Sequence, residues 1–165
     1  QVERLAEVAA LPGVSVVIVG DGPCREKLEK MMPTAHFTGF ASGIQLSQLY
    51  ASFDVFAHTG VDETFCQAVQ EALASGVPVV APAAGGPLDL VQHGLNGFLW
   101  SPSRRDTFVQ SVNELVTNYS VRDMCSQNAR PSVLDRTWDS VMTELVGHYR
   151  AVSSGLSFAY QGVAS

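Results

Sequence analysis

The sequence predicts an α/β fold, a doubly wound parallel sheet followed by extra carboxyl-terminal helices. Several short runs of apolar, often β-branched residues lack the alternation of half-exposed strands. Such runs are typical of strands that are buried on both faces of a parallel sheet. They alternate with helical segments, the pattern that consecutive βαβ units produce. From Arg104 onward only helical patterns follow.

The first predicted strand, residues 14–19, is closed by Gly20-Asp21-Gly22-Pro23. Pro23 suits the first turn of a helix over residues 24–32, because its missing N–H is not needed there. Further strands are predicted at residues 36–38, 54–58, 77–81 and 97–100. Helices are predicted at residues 45–52, 64–75, 88–93 (a helical turn), 104–118, 121–130 and 138–150.

We interpret residues 1–150 as one domain, since a chain of 165 residues suits a single hydrophobic core. Residues 2–10 have the pattern of the last turns of a helix. We therefore expect the start of that helix, and a strand before it, to precede residue 1. Residues 151–165 are rich in Ser, Gly and Ala without any period and are interpreted as a tail.

Composition excludes several classes of protein. The chain is 46% hydrophobic and 16% charged, too apolar for a disordered protein. A net charge of −6 and the lack of basic runs exclude a protein that coats nucleic-acid phosphates. No apolar stretch reaches the ~20 residues that a membrane-spanning helix needs. The cysteine and histidine spacings predict neither disulfides nor a metal site, and reduced thiols favour a cytoplasmic protein.

The segment from Asp62 to Gly76 follows a predicted strand and opens a predicted helix. It therefore lies at the carboxyl edge of the sheet, where ligands of open α/β folds bind. The first backbone N–H groups of a helix have no partner within the helix and suit a phosphate. His58 ends a strand at the same edge, where it either reaches a substrate or serves as a hydrogen-bonded structural residue.

Helical periodicity places Phe65, Val69, Ala72 and Leu73 on an apolar stripe that we expect to face the sheet. Thr64, Ala68, Glu71 and Ser75 form the neighbouring stripe of small or polar residues. Glu71 would then lie about 10 Å along the helix from Thr64, a distance that suits a ligand with phosphates at the helix start and a ribose two turns on.

Glu63 stands at the phosphate end of this segment, just before the predicted helix. Its carboxylate there could accept hydrogen bonds from sugar hydroxyls. A simpler interpretation remains open for both acids. Glu63 is also what the helix dipole favours in a first turn, and Glu71 is also consistent with a solvated helix face.

These residues resemble the signature of glycosyltransferase family 4. That signature has two Glu residues with seven residues between them and a Phe two positions after the first Glu. An Ala-rich turn and Gly-x-Pro-Val follow. The signature reads here Glu63-Thr64-Phe65, Glu71-Ala72 and Ser75-Gly76-Val77-Pro78-Val79-Val80. Further matching segments are residues 14–23, 37–40, 53–56, 85–87 and 91–99. The resemblance thus extends over residues 14 to 100, and residues 138–149 also fit.

Members of this family have the GT-B fold of two Rossmann-like domains, and the carboxyl-terminal domain holds the nucleotide-sugar donor. The resemblance implies that this chain is that domain. It also implies a retaining transferase in which the leaving phosphate assists the reaction on the front face. No bound metal or other cofactor is expected, because helix dipoles and basic side chains offset the diphosphate charge.

Carried over by position, the resemblance makes Glu63 the catalytic residue, in contact with the hydroxyls of the transferred sugar. Glu71 would bind the ribose. Backbone amides would hold the diphosphate at Thr64, Phe65, Cys66, Gln67 and Ala68. The base pocket would be lined by Gly39, Phe40 and Ala41, and Gly20 would let the chain approach the ligand.

The sequence departs from the family pattern in two respects. Cys66 stands where the family usually has Gly, at a point of close backbone approach. The Arg and Lys that clamp the diphosphate in the family would precede residue 1, as would the acceptor domain. We therefore expect this polypeptide alone to bind donor weakly and to catalyse little or nothing.

The segment Asp62-Glu63-Thr64-Phe65, together with Gly-Gly-Pro-Leu-Asp-Leu-Val at residues 85–91, looks most like the corresponding segments of actinobacterial mannosyltransferases. These enzymes use GDP-mannose to build phosphatidylinositol mannosides or related glycolipids. The resemblance thus implies GDP-mannose as donor, a glycolipid acceptor, and peripheral attachment to the inner face of the plasma membrane through the missing domain. Two alternatives stay open, a sugar-nucleotide epimerase of related fold and a nonenzymatic nucleotide-binding or partner-binding module.

Overall fold

The structure is a computed structural model that describes residues 1–153. The chain divides into two compact units, residues 1–133 and a second unit that begins at Leu134. The first unit contains all the strands named below and the predicted site. The second contributes one long helix and is described by itself.

All the strands of the described chain pair in parallel, as the sequence predicts. They are β1 (Val17–Val19), β2 (His36–Gly39), β3 (Phe56–Ala57), β4 (Val79–Pro82) and β5 (Gly97–Trp100). Pairing through these strands forms a two-stranded sheet, β1-β2, and a three-stranded sheet, β3-β4-β5. The prediction of parallel α/β structure is therefore confirmed, but the strands form two hydrogen-bonded sheets and not one.

Helices occupy each predicted helical segment, with shifted ends. They are α1 (Leu5–Ala9), α2 (Arg25–Met31), α3 (Gly43–Ala51), α4 (Gln67–Ala74), α5 (Pro87–Leu90), α6 (Asp106–Thr117), α7 (Tyr119–Ala129) and α8 (Trp138–Ser153). Short 3₁₀ turns precede α1 at Val2–Arg4 and follow α7 at Pro131–Val133.

Two element ends differ for identifiable local reasons. The first strand begins at Val17 and not at Val14, because the N–H of Val14 donates to the carbonyl of Leu11 in a turn. The last helix continues to Ser153, so residues 151–153 are helical and not part of a tail. The remainder of the predicted tail, residues 154–165, lies outside the described residues.

The central strand β4 explains why helices cover both faces of its sheet. Its four residues are all buried. Val79 and Ala81 point into one apolar cluster with α4, whereas Val80 points into a second cluster with α6. Alternate side chains of a strand face opposite sides of the sheet. Both faces are therefore apolar, and helices shield both from water. This arrangement matches the burial that the unbroken apolar runs predict.

The second unit is built around α8. Thr137 caps this helix, since its hydroxyl oxygen accepts a hydrogen bond of 3.1 Å from the N–H of Ser140. Within residues 1–153, no helix combines the length and the apolar character needed to cross a bilayer.

Candidate functional site

The helix of the predicted site begins three residues later than the sequence predicts, at Gln67. Cys66 is the reason, because it adopts the left-handed conformation with φ +57° and cannot continue a helix toward its amino terminus. Thr64 and Phe65 therefore belong to the preceding loop. Phe65 does not face the sheet as expected, and 54% of its surface is exposed. The predicted helical span from Thr64 to Glu71 is accordingly wrong.

The left-handed turn at Cys66 also sets which amides open the helix. The N–H groups of Val69 and Gln70 both donate to the carbonyl of Cys66, at 3.0 and 3.3 Å. The amides of Gln67 and Ala68 come before these bonds and, by their position in the first turn, have no acceptor within the helix. Burial raises the pKa of the Cys66 thiol, so this side chain is an uncharged packing group.

Glu71 lies on the second turn of α4, and two side chains interact with its carboxylate. Nε2 of Gln67 donates a hydrogen bond of 3.1 Å to its Oε1. Tyr50, on α3, is near enough for the charge of this carboxylate to act on its hydroxyl. Burial, followed by the charge of Glu71, raises the pKa of Tyr50 well above its usual value. Tyr50 therefore stays neutral beside Glu71.

Tyr50 was missed by sequence reasoning. It lies on a different helix, α3, of which it is the only buried residue. The contact with Glu71 arises from tertiary packing, so spacing along the chain could not find it.

Glu63 lies in the loop between β3 and α4, and the loop after β4 packs against its backbone. The N–H of Gly86 donates to the carbonyl of Glu63 at 2.8 Å. A Cβ atom on Gly85, which has φ +59°, would collide with that carbonyl. A Cβ on Gly86 would lie 2.6 Å from the carbonyl oxygen of Thr64. The two glycines therefore permit the close approach that fixes Glu63, whose side chain is 44% exposed.

His58 follows β3 directly and is anchored by its backbone. Its N–H donates to the carbonyl of Val80 at 2.8 Å, and its carbonyl accepts a 3.2 Å hydrogen bond from Nε1 of Trp100. The side chain is largely buried, and its Nε2 has no hydrogen-bond partner among the described residues. This nitrogen lies 4.0 Å from Oε1 of Glu63. Burial lowers the pKa of His58, against the opposing effect of the Glu63 charge.

The remaining predicted residues lie at the ends of β1 and β2. Gly20 and Gly39 form an isolated bridge, in which the N–H of Gly20 donates to the carbonyl of Gly39 at 2.8 Å. Their φ angles of +125° and +73° are ones that favour glycine. Phe40 is 80% exposed beside them, whereas Ala41 is buried.

Arg25 is the cation beside this pair, and acids already engage it. Its guanidinium contacts Asp21 at 3.2 Å and Glu29 at 2.9 Å. A Cβ on Gly39 would lie 3.7 Å from its Nη1 atom. Sequence reasoning did not single out Arg25, which lies here because α2 begins beyond the end of β1, next to the end of its parallel neighbour β2.

The structure therefore gathers the predicted residues into two groups, each at the carboxyl end of parallel strands. The first group is Gly20, Gly39, Phe40 and Ala41, at the ends of β1 and β2. The second group is Glu63, Thr64, Phe65, Cys66, Gln67, Ala68 and Glu71, between β3 and the second turn of α4. Within residues 1–153, no cluster of three His, Cys, Asp or Glu side chains could hold a metal ion.

Parallel strands covered by helices, with polar groups and a helix start at their carboxyl ends, define an open α/β domain of the ligand-binding class. The sequence pattern of the group 1 glycosyl transferases matches residues 1–132. The chain belongs to this family.

Two mycobacterial relatives match most of the chain. A GDP-mannose-dependent alpha-mannosyltransferase of Mycolicibacterium smegmatis is 52% identical over 92% of the chain. The enzyme of the same name from Mycobacterium tuberculosis is 49% identical over 92% of the chain. The chain spans only 40% of the first relative and 39% of the second.

Solved structures agree with the fold. The chain resembles Anabaena Alr3699/HepE in complex with UDP-glucose, with a TM-score of 0.75 at 28% identity, over 93% of this chain and 45% of that one. Sucrose-phosphate synthase from Thermosynechococcus elongatus gives a TM-score of 0.82 at 21% identity, which shows the shared fold alone. The fold is that of the carboxyl-terminal half of GT-B glycosyltransferases, with additional carboxyl-terminal helices.

Proposed function

We propose that the full-length protein transfers mannose from GDP-mannose with retention of anomeric configuration, and that residues 1–133 bind the donor. The observation that carries this proposal is the 52% identity to a GDP-mannose-dependent alpha-mannosyltransferase over 92% of the chain. The positions of Glu63 and Glu71 around the start of α4 support it independently. A glycolipid such as a phosphatidylinositol mannoside is the proposed acceptor.

In this proposal the donor lies along the start of α4. The amides of Gln67 and Ala68 hold the diphosphate, where the positive end of the helix dipole favours negative charge. The ribose hydroxyls meet Glu71, whose carboxylate accepts a hydrogen bond from Gln67 before any ligand arrives. Preorganised acceptors of this kind cost little to order on binding.

The base and the hexose occupy the two ends of this arrangement. The bridge between Gly20 and Gly39 offers backbone groups to the base, with Phe40 and Ala41 beside it. At the other end, Glu63 accepts hydrogen bonds from the hexose hydroxyls. Its backbone is fixed by Gly86, which keeps the carboxylate close to the place where charge develops on the reacting sugar.

Positive charge for the diphosphate comes in this proposal from the part of the protein outside this chain, not from a metal ion or another cofactor. Arg25 is engaged by Asp21 and Glu29, so it is not available as a clamp without breaking those contacts. We expect this chain alone to bind the donor weakly and to be inactive.

The proposal includes one further strand, from the segment that precedes residue 1. Among the described residues, β1 pairs only with β2, and β3 pairs only with β4. In a doubly wound sheet of order 3-2-1-4-5-6, β2 and β1 would be strands 3 and 2, and β3 would be strand 4. Strand 1 then lies between the two sheets and leads through α1 into β1. Hydrogen exchange tests this, since the amides of β1 and β3 should exchange more slowly in the full-length protein than in this chain.

The experiment for the proposed function is a turnover assay of the full-length protein with GDP-mannose, UDP-glucose and ADP-glucose, with and without a phosphatidylinositol mannoside acceptor. We expect release of GDP that requires the acceptor, an α-linked product, and a large loss of rate in Glu63→Gln. Glu114→Gln, the same change on α6, serves as the control. Conversion of the sugar nucleotide without acceptor would indicate an epimerase, and binding without turnover would indicate a nonenzymatic module.

The proposed location is cytoplasmic, with peripheral attachment to the inner face of the plasma membrane through the acceptor-binding half. Cell fractionation tests it. The full-length protein should be recovered with membranes and released by carbonate washing, whereas this chain alone should stay in the soluble fraction.

A further inference from the structure

His58 presents an unpaired buried nitrogen to the proposed hexose end of the site. Its Nε2 has no hydrogen-bond partner among the described residues and lies 4.0 Å from Oε1 of Glu63. Leaving a buried polar atom unpaired costs free energy, so buried polar groups are nearly always paired in folded proteins. An exception beside a candidate ligand position therefore needs an explanation.

Movement of His58 toward Glu63 does not provide that explanation. Its backbone is held on one side by the N–H bond to Val80 and on the other by the carbonyl bond to Trp100, both residues of the buried sheet. Glu63 is held in turn through its carbonyl by Gly86. A Cβ on Gly60 would lie 3.1 Å from the His58 nitrogen, so the intervening loop also packs against the imidazole. The fold thus holds the backbones of both residues in place.

One hydroxyl oxygen can bridge Nε2 of His58 and Oε1 of Glu63 from the side. Placed about 2.8 Å from each atom of a pair 4.0 Å apart, it lies about 2 Å off the line that joins them and forms a hydrogen bond to both. A hydroxyl can donate and accept at once, so it can donate to the carboxylate and satisfy either tautomer of a neutral imidazole.

We propose that His58 is a specificity-determining residue, and that one hydroxyl of the donor hexose binds between its Nε2 and Oε1 of Glu63. This inference rests on the proposed function, since it takes the donor to be GDP-mannose and Glu63 to face the hexose. It adds a second protein group that contacts the sugar, from the same end of β3 as Glu63. The hexose is favoured over the ribose because Glu71, on the second turn of α4, is the group proposed for the ribose.

The first test measures the affinity of the full-length protein for GDP and for GDP-mannose, in wild type and in His58→Phe. The phenylalanine keeps the ring volume and removes the polar atom. We expect the affinity for GDP-mannose to fall about tenfold, as for a lost hydrogen bond that leaves its partner unpaired, and the affinity for GDP to change less than about twofold. His58→Gln, whose amide both donates and accepts, should recover part of the loss. His36→Phe, an exposed histidine on β2, is the matched control.

The second test combines His58→Phe with a set of deoxy analogues of GDP-mannose, each lacking one hexose hydroxyl. For the hydroxyl that lies between His58 and Glu63, the two losses should not add, because each removes the same interaction. Additive losses for every analogue would overturn the inference.

The outcomes separate this inference from the proposed function. Wild-type protein that binds GDP-mannose no better than His58→Phe does would overturn the role of His58 and leave the donor site intact. Equal losses for GDP and GDP-mannose would overturn it in favour of a ribose contact. Failure of the wild-type protein to bind either ligand would remove both proposals. Thermal unfolding checks the fold, and His58→Phe should be no less stable than wild type, since it removes an unpaired buried nitrogen.

Discussion

The N–H of Gly86 donates a hydrogen bond of 2.8 Å to the carbonyl oxygen of Glu63. This bond joins the loop after β4 to the loop before α4. It fixes the backbone of the proposed catalytic carboxylate from a segment more than twenty residues away in the chain. The position of Glu63 therefore depends on a glycine pair that carries no chemistry of its own.

Replacement of Gly86 by Ala should destabilise the chain and disturb Glu63 together. The new methyl group would lie 2.6 Å from the carbonyl oxygen of Thr64 and 2.9 Å from the carbonyl carbon of Phe65, and neither backbone atom can move freely. We expect a loss of about 1–3 kcal/mol in the free energy of unfolding, typical of overpacking. Chemical unfolding of this chain measures it. Gly22→Ala, whose methyl group would meet nothing within 4 Å, is the control and should change little.

Within a helix an Ala variant is usually more stable than a Gly variant, and at position 66 we expect this order to be reversed. At φ +57° a side chain is strained, so Cys66→Gly should be at least as stable as Cys66→Ala. Cys125 provides the comparison, since it is equally buried but lies within α7. There the Gly variant should be about 1 kcal/mol less stable than the Ala variant. Urea unfolding of the four variants decides this, and the same order at both positions would contradict the left-handed assignment of Cys66.

His58 should make the stability of the chain depend on pH in a defined direction. Burial lowers its pKa in the folded state, so the unfolded chain binds the proton more readily. Stability from this group is fully present above the unfolded value, about 6.5, and is lost as pH falls through the lowered folded pKa. Thermal unfolding of wild type and His58→Phe between pH 7.5 and about 5 measures the effect. The variant should lose less stability on acidification, and parallel curves would contradict the burial of a neutral imidazole.

Sequence patterns were sufficient to predict the alternation of strands and helices, because a strand that is buried on both faces consists of consecutive apolar residues. The four buried residues of β4 show this, whereas the residues of β1 are only half-buried in this chain. Patterns were not sufficient for the start of α4. A helical stripe could be drawn through Phe65, but no local period reveals that Cys66 adopts the left-handed conformation and begins the helix later.

The sequence predicts site residues where motif residues lie close together, and not where a site depends on contacts between distant segments. Glu63 and Glu71 were predicted from their positions around one helix start, and their roles stay a prediction. The Tyr50 contact with Glu71 and the orphaned nitrogen of His58 depend on packing between separate elements. The sequence left open whether His58 is a satisfied structural residue, and the structure answers that its Nε2 is unpaired among the described residues.

The central claim is that this chain holds GDP-mannose along α4, with Glu71 on the ribose. Calorimetric titration of the full-length protein with GDP, UDP and ADP, in wild type and in Glu71→Gln, tests it most directly. We expect selective binding of GDP that weakens about tenfold or more in Glu71→Gln, as for a lost hydrogen bond to a charged group, and not in Glu114→Gln. Equal binding of GDP by wild type and Glu71→Gln, or no binding of any nucleotide, would contradict the proposed donor site.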